Sequence, residues 1–268
     1  MSSGCGLSEV LAFRISARYG STPVLNDVAA SIGAGEIVAL VGLSGSGKST
    51  LALALLRLLH YRGGAVTGSI RLEGRELCGL GAREMRQIRG RQIGYVPQSP
   101  AAALNEKLRV KTLLGETWKA HAKQAVPDGF YAKLLSGVRL PDDPKFLERR
   151  AGELSTGQGQ RLLIALAIMH EPALLIADEP TSALDAITQA GVLRLFGDLN
   201  RERGTAILFI SHDLLSVAAI GGRVDILHEG KIVESGTPDR IFRQPRHAFT
   251  RELVNAMPRV PRGAMESD

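Results

Sequence analysis

The chain has 268 residues, of which 44% are hydrophobic and 22% charged, proportions typical of a globular protein with a sizeable core and one or two domains. No uncharged apolar run approaches the roughly 18 residues that a membrane-spanning helix needs, and the start lacks the regions of a secretory signal. The net charge of +6 favours anionic partners, but aromatic residues make up only 4% and do not alternate with basic ones, so we expect no nucleic acid.

Cysteine usage points to a reducing compartment. Cys5 and Cys78 are too few for a disulfide framework, and neither belongs to a cluster with metal-ligand spacing. We therefore expect two reduced thiols in a cytosolic protein.

The first part of the chain has the pattern of β structure. Val10–Ser16 alternates in part between apolar and polar residues, and turns are predicted at Tyr19–Pro23 and Gly33–Glu36. The apolar run 37–41 then has the length of a buried strand.

A glycine-rich loop follows that run and leads into a helical pattern that extends to Leu59. The loop matches G-x-x-x-x-G-K-[ST], whose backbone N–H groups cradle phosphates at a helix N-terminus. A lysine supplies charge for the outer phosphates, and the serine after it supplies a hydroxyl for Mg²⁺. The residues predicted to bind nucleotide are Gly42, Ser44, Gly45, Ser46, Gly47, Lys48, Ser49 and Thr50.

Further along, strands are predicted at 66–72 and 92–96, with a short basic helix at 82–89 between them. From Pro100 to about Leu154 apolar residues recur at helical spacing and strand signals vanish, which indicates a helical insertion.

In the remainder, strands and helices alternate, which favours a mainly parallel, doubly wound sheet. Helices are predicted at 158–170, 187–203 and 214–220, strands at 173–177 and 205–210, and a hairpin at 223–235. Residues 237–268 show two short helical patterns and then a polar end with two prolines that we expect to fray.

Carboxylates close the apolar strand at 173–177. In a phosphate-loop enzyme, Asp178 at this position is expected to hold Mg²⁺, and Glu179 to polarise the attacking water as general base. The alternative is an acidic strand end that caps the next helix.

Three other side chains are weaker candidates. Gln98 follows a strand and is placed to touch Mg²⁺ and the water, and His212 after the strand at 205–210 is placed to donate to a γ-phosphate. Tyr19 is placed to stack on a base. Each residue type is also common at loops and strand ends for structural reasons.

A second anion site is predicted where Leu154-Ser-Thr-Gly-Gln158 opens a helix. A chain with one nucleotide loop does not need a second anion site, unless that site serves a nucleotide held by another subunit. The sequence therefore predicts a dimer with ATP between two chains.

Together these motifs resemble the nucleotide-binding domain of ATP-binding cassette (ABC) proteins over nearly the whole chain. Residues 42–50 resemble the Walker A loop, 174–179 the Walker B strand with its catalytic glutamate, and 154–158 the signature Leu-Ser-Gly-Gly-Gln. The resemblance implies a P-loop NTPase fold of the α/β class, with an N-terminal antiparallel β subdomain and a helical signature subdomain at about 100–160.

The same resemblance assigns roles to single residues. It makes Gln98, with Ser49 and Asp178, a ligand of Mg²⁺. The remaining assignments are the adenine-stacking Tyr19, the D-loop residues Ser182 and Asp185, the switch histidine His212, and the signature residues Ser155, Thr156, Gly157 and Gln158, which act on the partner's ATP. Thr156 replaces the first signature glycine, which either weakens one composite site or is tolerated.

Two stretches narrow the resemblance to importers of di- and oligopeptides and nickel. Residues 98–105 are similar to the Q-loop segment of that subfamily, and residues from 236 onward to its C-terminal extension, which implies a cassette at 1–236 and an extension at 237–268. Many members carry an iron–sulfur cluster in the extension. Both cysteines here precede residue 80, so we expect no cluster, which leans towards the nickel or metallophore branch.

The resemblance implies a peripheral protein on the cytoplasmic face of the inner membrane. Its expected partners are a second ATPase subunit, identical or different, two transmembrane permeases and, indirectly, an extracytoplasmic solute-binding protein. The alternatives are a soluble accessory ATPase of the carbon–phosphorus lyase type and a nucleic-acid-associated cassette. The second usually has two cassettes, zinc-spaced cysteines or a coiled-coil insertion, none of which this sequence contains.

Overall fold

Two β-sheets and a set of helices make up the computed structural model, which describes residues 8–256. The strands are β1 Glu9–Tyr19, β2 Thr22–Gly33, β3 Ile37–Val41, β4 Gly64–Leu72, β5 Arg75–Glu76, β6 Ile93–Val96, β7 Leu174–Asp178, β8 Ala206–Ser211, β9 Arg223–His228 and β10 Lys231–Gly236. The helices are α1 Lys48–Leu55, α2 Ala82–Ile88, α3 Pro100–Ala103, α4 Val110–His121, α5 Phe130–Gly137, α6 Pro144–Glu148, α7 Thr156–Ile168, α8 Ala186–Arg203, α9 Leu214–Ile220, α10 Pro238–Arg243 and α11 Ala248–Asn255.

The larger sheet has the strand order β10-β9-β3-β8-β7-β6, and all neighbours are parallel except β10, which pairs antiparallel with β9. Every residue of β3, β7 and β8 is buried, as expected for central strands of a parallel sheet covered on both faces. The carboxyl ends of β3, β8, β7 and β6 therefore meet along one edge of the sheet. This confirms the predicted doubly wound core.

The smaller sheet has the order β2-β1-β4-β5, with antiparallel pairing throughout. Residues of β1 alternate between buried and more exposed positions, which matches the partial alternation in the sequence. Its buried face packs on α1 and on the larger sheet in one hydrophobic cluster. The predicted N-terminal antiparallel subdomain is therefore confirmed.

Residues 100–154 contain helices α3 to α6 and a 3₁₀ turn at Ala151–Glu153, and no strand assigned among them. Helix α4 buries Val110, Leu114 and Trp118, spaced four residues apart, against the cluster that also contains α7 and α8. The indole Nε1 of Trp118 donates to the carbonyl of Gln124 at 2.9 Å. No helix in residues 8–256 combines the length and apolarity needed to cross a membrane.

Two helix boundaries differ from the prediction. Helix α1 ends at Leu55 rather than Leu59, because Arg57 adopts a left-handed conformation (φ 54°) and Leu58 N–H donates back to the Leu53 carbonyl at 2.8 Å. Helix α7 begins at Thr156 rather than at residue 158, because Ser155 caps it by accepting from Gln158 N–H.

The two helical patterns predicted after residue 237 correspond to α10 and α11, which pack on β9 through Ile241 and Phe249. The predicted fraying end lies outside the described residues. A buried carboxylate holds the connection between the helices: Glu234 of β10 accepts from the backbone N–H of Arg246 at 2.9 Å and of His247 at 3.0 Å.

Replacing Glu234 with alanine is expected to destabilise the protein by about 1–3 kcal/mol, because two backbone donors lose their acceptor. Burial raises the pKa of Glu234, but the donors at His247 and Arg246 outweigh it and hold the pKa below its ordinary value of 4.5. A lowered pKa in the folded state gives stability that is present above pH 4.5 and lost as the pH falls through the folded pKa.

Urea unfolding of wild type and Glu234→Ala, at pH 7 and in mild acid, measures the difference in their free energies of unfolding at each pH. The exposed Glu252 of α11, changed to alanine, serves as the control. Equal stability of both variants at pH 7 would contradict the role given to Glu234.

Candidate functional site

The predicted phosphate loop joins β3 to α1 and has the backbone shape that its glycines permit. Gly45 and Gly47 adopt φ values of 82° and 105°, which favour glycine. A Cβ at Gly47 would lie 2.7 Å from Leu25 Cδ2, and one at Gly42 would lie 2.4 Å from the Leu227 carbonyl oxygen. The loop therefore needs glycine at position 42 for a steric reason and at position 47 for both steric and conformational reasons.

Lys48, the first residue of α1, points back under the loop. Its ammonium donates to the carbonyls of Gly42 at 2.8 Å and Leu43 at 3.0 Å, and lies 3.7 Å from Glu179 Oε1. Burial lowers the pKa of Lys48, whereas the charges of Glu179 and Asp178 act in the opposite direction. The loop is thus held around a nearly buried cation (5% exposed side chain) placed for phosphate.

Asp178 closes β7 and is buried beside the loop. Its Oδ1 accepts from Ser49 Oγ at 3.2 Å and its Oδ2 from the Tyr95 phenol at 3.4 Å. Burial raises the pKa of Asp178 above its ordinary value. A carboxylate and a hydroxyl this close form the oxygen donor set that Mg²⁺ prefers, so these side chains fit the predicted metal site.

Glu179 is the point where the predicted catalytic side chains meet. Gln98 Nε2 donates to Glu179 Oε2 at 3.0 Å, and His212 Nδ1 lies 3.2 Å from the same oxygen. Gln98 thus faces the proposed general base rather than Ser49 and Asp178, the other predicted metal ligands. Gln98, His212 and Lys48 come from three segments far apart in the sequence.

The backbone of Glu179 is strained, with a φ of 46°. Its N–H continues the sheet by donating to Ile210 at 2.9 Å, while its carbonyl accepts from Ser182 Oγ at 3.1 Å. The strain redirects the chain directly after β7 and turns the carboxylate towards the loop.

Tyr19, the last residue of β1, lies at the entrance of the site. It lines an open cleft of about 310 Å³ together with Val24, Gln98, Glu179 and the phosphate loop. The loop residues that line the cleft are Ser44, Gly45, Gly47, Lys48, Ser49 and Thr50. Gly42 and Ser46 are not among them; Ser46 Oγ is buried and has no hydrogen-bond partner within residues 8–256.

The signature residues lie at the start of α7 and do not line this cleft. Ser155 Oγ accepts from Gln158 N–H and Gln158 Oε1 accepts from Ser155 N–H, each at 3.2 Å, which forms a capping box. Thr156 is exposed at the first helical position, so its side chain is accommodated in the single chain. A Cβ at Gly157 would lie 2.6 Å from Thr188 Cγ2, so α7 approaches α8 closely there.

The D-loop residues lie between Glu179 and α8. Ser182 Oγ accepts from Gln98 Nε2 at 3.3 Å, and Asp185 caps α8 by accepting from Ile187 and Thr188 N–H at 3.1 and 3.0 Å. Hydrogen bonding by the Thr188 side chain, and then by these backbone N–H groups, lowers the pKa of Asp185. The D-loop is therefore fixed at both ends.

Sequence reasoning missed Tyr95, the second hydrogen-bond partner of Asp178. Its position in the strand before Gln98 gave no sign of this contact, because a tyrosine in a strand is ordinarily a packing residue. Burial, and then the nearby Asp178 charge, raises the pKa of Tyr95, so the phenol stays a donor to that carboxylate.

The family model described as ABC transporter matches residues 25–182. The chain is 39% identical over 243 residues to the oligopeptide transport ATP-binding protein OppD of Escherichia coli. The aligned region covers 90% of this chain and 72% of that protein. It is 41% identical over 246 residues to the peptidoglycan transport ATP-binding protein YejF of Agrobacterium fabrum, of which it spans 45%.

The fold agrees with solved cassettes. An ATP-binding subunit of an ABC transporter superposes with a TM-score of 0.72 at 29% identity and covers 91% of this chain and 97% of its own. A dimeric ATP-binding cassette in a post-hydrolysis state with ADP and Pi has a TM-score of 0.72 at 25% identity, over 85% of this chain and 98% of its own. The chain therefore belongs to the ABC transporter family, as one of its ATP-hydrolysing cassettes.

Proposed function

We propose that this cassette powers a peptide importer, by coupling MgATP hydrolysis in a cassette dimer to uptake through membrane permeases. The observation that carries the hydrolytic part is the convergence of Lys48, Gln98 and His212 on Glu179, directly beside the phosphate loop. The peptide part is supported by relatives whose names specify oligopeptide transport or putative peptide import.

The proposed mechanism starts from the arrangement in the structure, except that Gln98, which contacts Glu179 there, would also reach Mg²⁺. Lys48 and the loop N–H groups bind the outer phosphates, Tyr19 stacks on adenine, and Ser49, Asp178 and Gln98 would hold Mg²⁺. When bound, the ion neutralises phosphate charge. Glu179 accepts a proton from the attacking water, and His212 and Gln98 orient the carboxylate and the water.

The partner chain completes the site in this proposal. The signature residues, presented by a capped helix outside the chain's own cleft, would contact ATP held by a second cassette. The proposal also includes two domains, a cassette at 1–236 and an extension at 237–268. It places the protein peripherally on the cytoplasmic face of the membrane.

A hollow next to the Q-loop strand suits a permease's cytoplasmic helix. Its volume is about 300 Å³, and its lining is mostly apolar, including Leu58, Tyr95 and Leu163, together with Arg89. Strand β6 contributes Tyr95 to this wall and ends two residues before Gln98. Movement of a permease helix bound in this hollow would be transmitted to Gln98 through strand β6.

Replacing Lys48 with alanine is expected to raise the dissociation constant for ATP by about 10- to 100-fold, because a buried cation for the phosphates is lost. Equilibrium titration with a fluorescent ATP analogue measures it. Lys119→Ala, an exposed lysine on α4, is the control, and thermal unfolding shows whether the loop still folds. Wild-type affinity in folded Lys48→Ala would contradict the role of Lys48.

Replacing Glu179 with glutamine is expected to leave ATP binding within about twofold of wild type and to lower turnover by about 100-fold or more, because the shape is kept and the proton acceptor lost. Phosphate release in single-turnover conditions measures the second effect. Unchanged turnover would remove Glu179 from the mechanism.

The importer itself is tested by recovering tagged Glu179→Gln from its own cells with ATP and Mg²⁺ and identifying the bound proteins by mass spectrometry. We expect two permeases and a second cassette, because the stalled variant keeps the closed dimer. The double variant Lys48→Ala, Glu179→Gln, which is expected to bind ATP more weakly, is the matched control and should recover less of these partners. Recovery of soluble enzymes without a membrane protein would replace the importer with an accessory ATPase.

A further inference from the structure

A cluster of three hydrogen bonds joins helix α8 to the segment that carries His212. The amide Nε2 of Gln189 donates to Asp213 Oδ2 at 2.9 Å and lies 2.6 Å from Ser216 Oγ, which itself donates to Asp213 Oδ2 at 2.5 Å. Ser216 is 1% exposed, and Gln189 and Asp213 are part-buried, so the cluster is partly shielded from solvent. None of its members belongs to the motifs recognised in the sequence.

Asp213 is the residue directly after His212, and it also starts the next helix. It accepts from the backbone N–H groups of Leu215 at 3.0 Å and Ser216 at 3.2 Å and so caps α9. These bonds and that of Gln189 hold the pKa of Asp213 below its ordinary value although burial alone would raise it. Its carboxylate thus fixes the backbone on the far side of His212.

His212 itself is weakly held. Its side chain is 54% exposed, and its contact with Glu179 Oε2 at 3.2 Å is to another side chain. The position of the imidazole therefore depends on the backbone between β8 and α9, which Asp213 anchors. A hollow of about 200 Å³ separates this segment from the D-loop, and Gln189, Glu179 and His212 all line it.

We propose that Gln189 is a positioning residue for His212: its amide ties Asp213 to α8 and thereby sets the imidazole against Glu179. The inference rests on the proposed role of His212 in hydrolysis. Gln189 donates to Asp213 and Ser216 and not to Glu179 or the phosphate loop. It therefore acts on the reaction only through the segment that carries His212.

The first test replaces Gln189 with leucine, which has a similar size and cannot donate. We expect kcat to fall by about 10- to 100-fold, the effect of displacing a catalytic group by about 1 Å, while KM for ATP stays within twofold. Gln244→Leu, at an exposed position at the end of α10, is the matched control and should retain wild-type kcat. An equal loss of ATP affinity in Gln189→Leu would show a general structural defect and overturn the proposal.

The second test places Gln189→Leu in a His212→Ala background. If Gln189 acts through His212, the double variant has the same kcat as His212→Ala. Once the imidazole is absent, the loss of the residue that positions it has no further effect. Full additivity overturns the proposal. If His212→Ala has the wild-type kcat, the proposed role of His212 is refuted. If His212→Ala has a reduced kcat but Gln189→Leu does not, only the inference about Gln189 is refuted.

The third test is a pH profile of a variant, Gln189→Glu, that keeps the size of the side chain and its polar character. In Gln189→Glu two carboxylates face each other, Asp213 and the new one, with Glu179 and His212 across the hollow. At low pH the pair shares a proton and the tie holds; at higher pH both ionise and repel. We expect the kcat of this variant, divided by that of wild type, to fall as the pH rises, and a flat ratio would contradict the tie.

Discussion

The burial of one cation between two carboxylates is the constraint on which the site depends. Lys48 and Asp178 each lie in the core with about 5% exposure, and Glu179 lies beside them. A buried charge without a partner is strongly destabilising, so the loop, the end of β7 and helix α1 must come together when the protein folds. The parallel order β3-β8-β7 supplies that arrangement, because it brings the ends of these strands to one edge.

The groups around this core differ in how firmly they are held. Lys48 and Asp178 are fixed by burial, whereas Gln98 and His212 are exposed and meet only at the Glu179 carboxylate. The strained backbone of Glu179 aims that carboxylate at both of them. This difference suits the proposed mechanism, in which the residues that bind phosphate stay fixed and those that act on the water respond to partner subunits.

Sequence patterns predicted the parts of this arrangement that depend on local chemistry. The apolar runs of β3, β7 and β8 and the glycine loop are visible because burial and loop geometry restrict residue type directly. Tyr95 and Gln189 could not be recognised, since a strand tyrosine and a helix glutamine acquire their roles from residues that are close only in the folded chain. The early end of α1 at Leu55 was missed because Arg57 takes a left-handed turn usually made by glycine.

Helix α8 links the two halves of nucleotide chemistry that one chain contributes. Thr188 packs against Gly157 of the signature segment, at the position where an added Cβ would come within 2.6 Å of its methyl group. The next residue, Gln189, binds Asp213 beside His212. Both contacts are made from the first turn of α8, which Asp185 caps, so the signature segment and the His212 segment are held by one element. In the proposed dimer, whose ATP lies between one chain's signature and the other's phosphate loop, neighbouring residues of α8 would thus contact both the segment that faces the partner's nucleotide and the segment that carries His212.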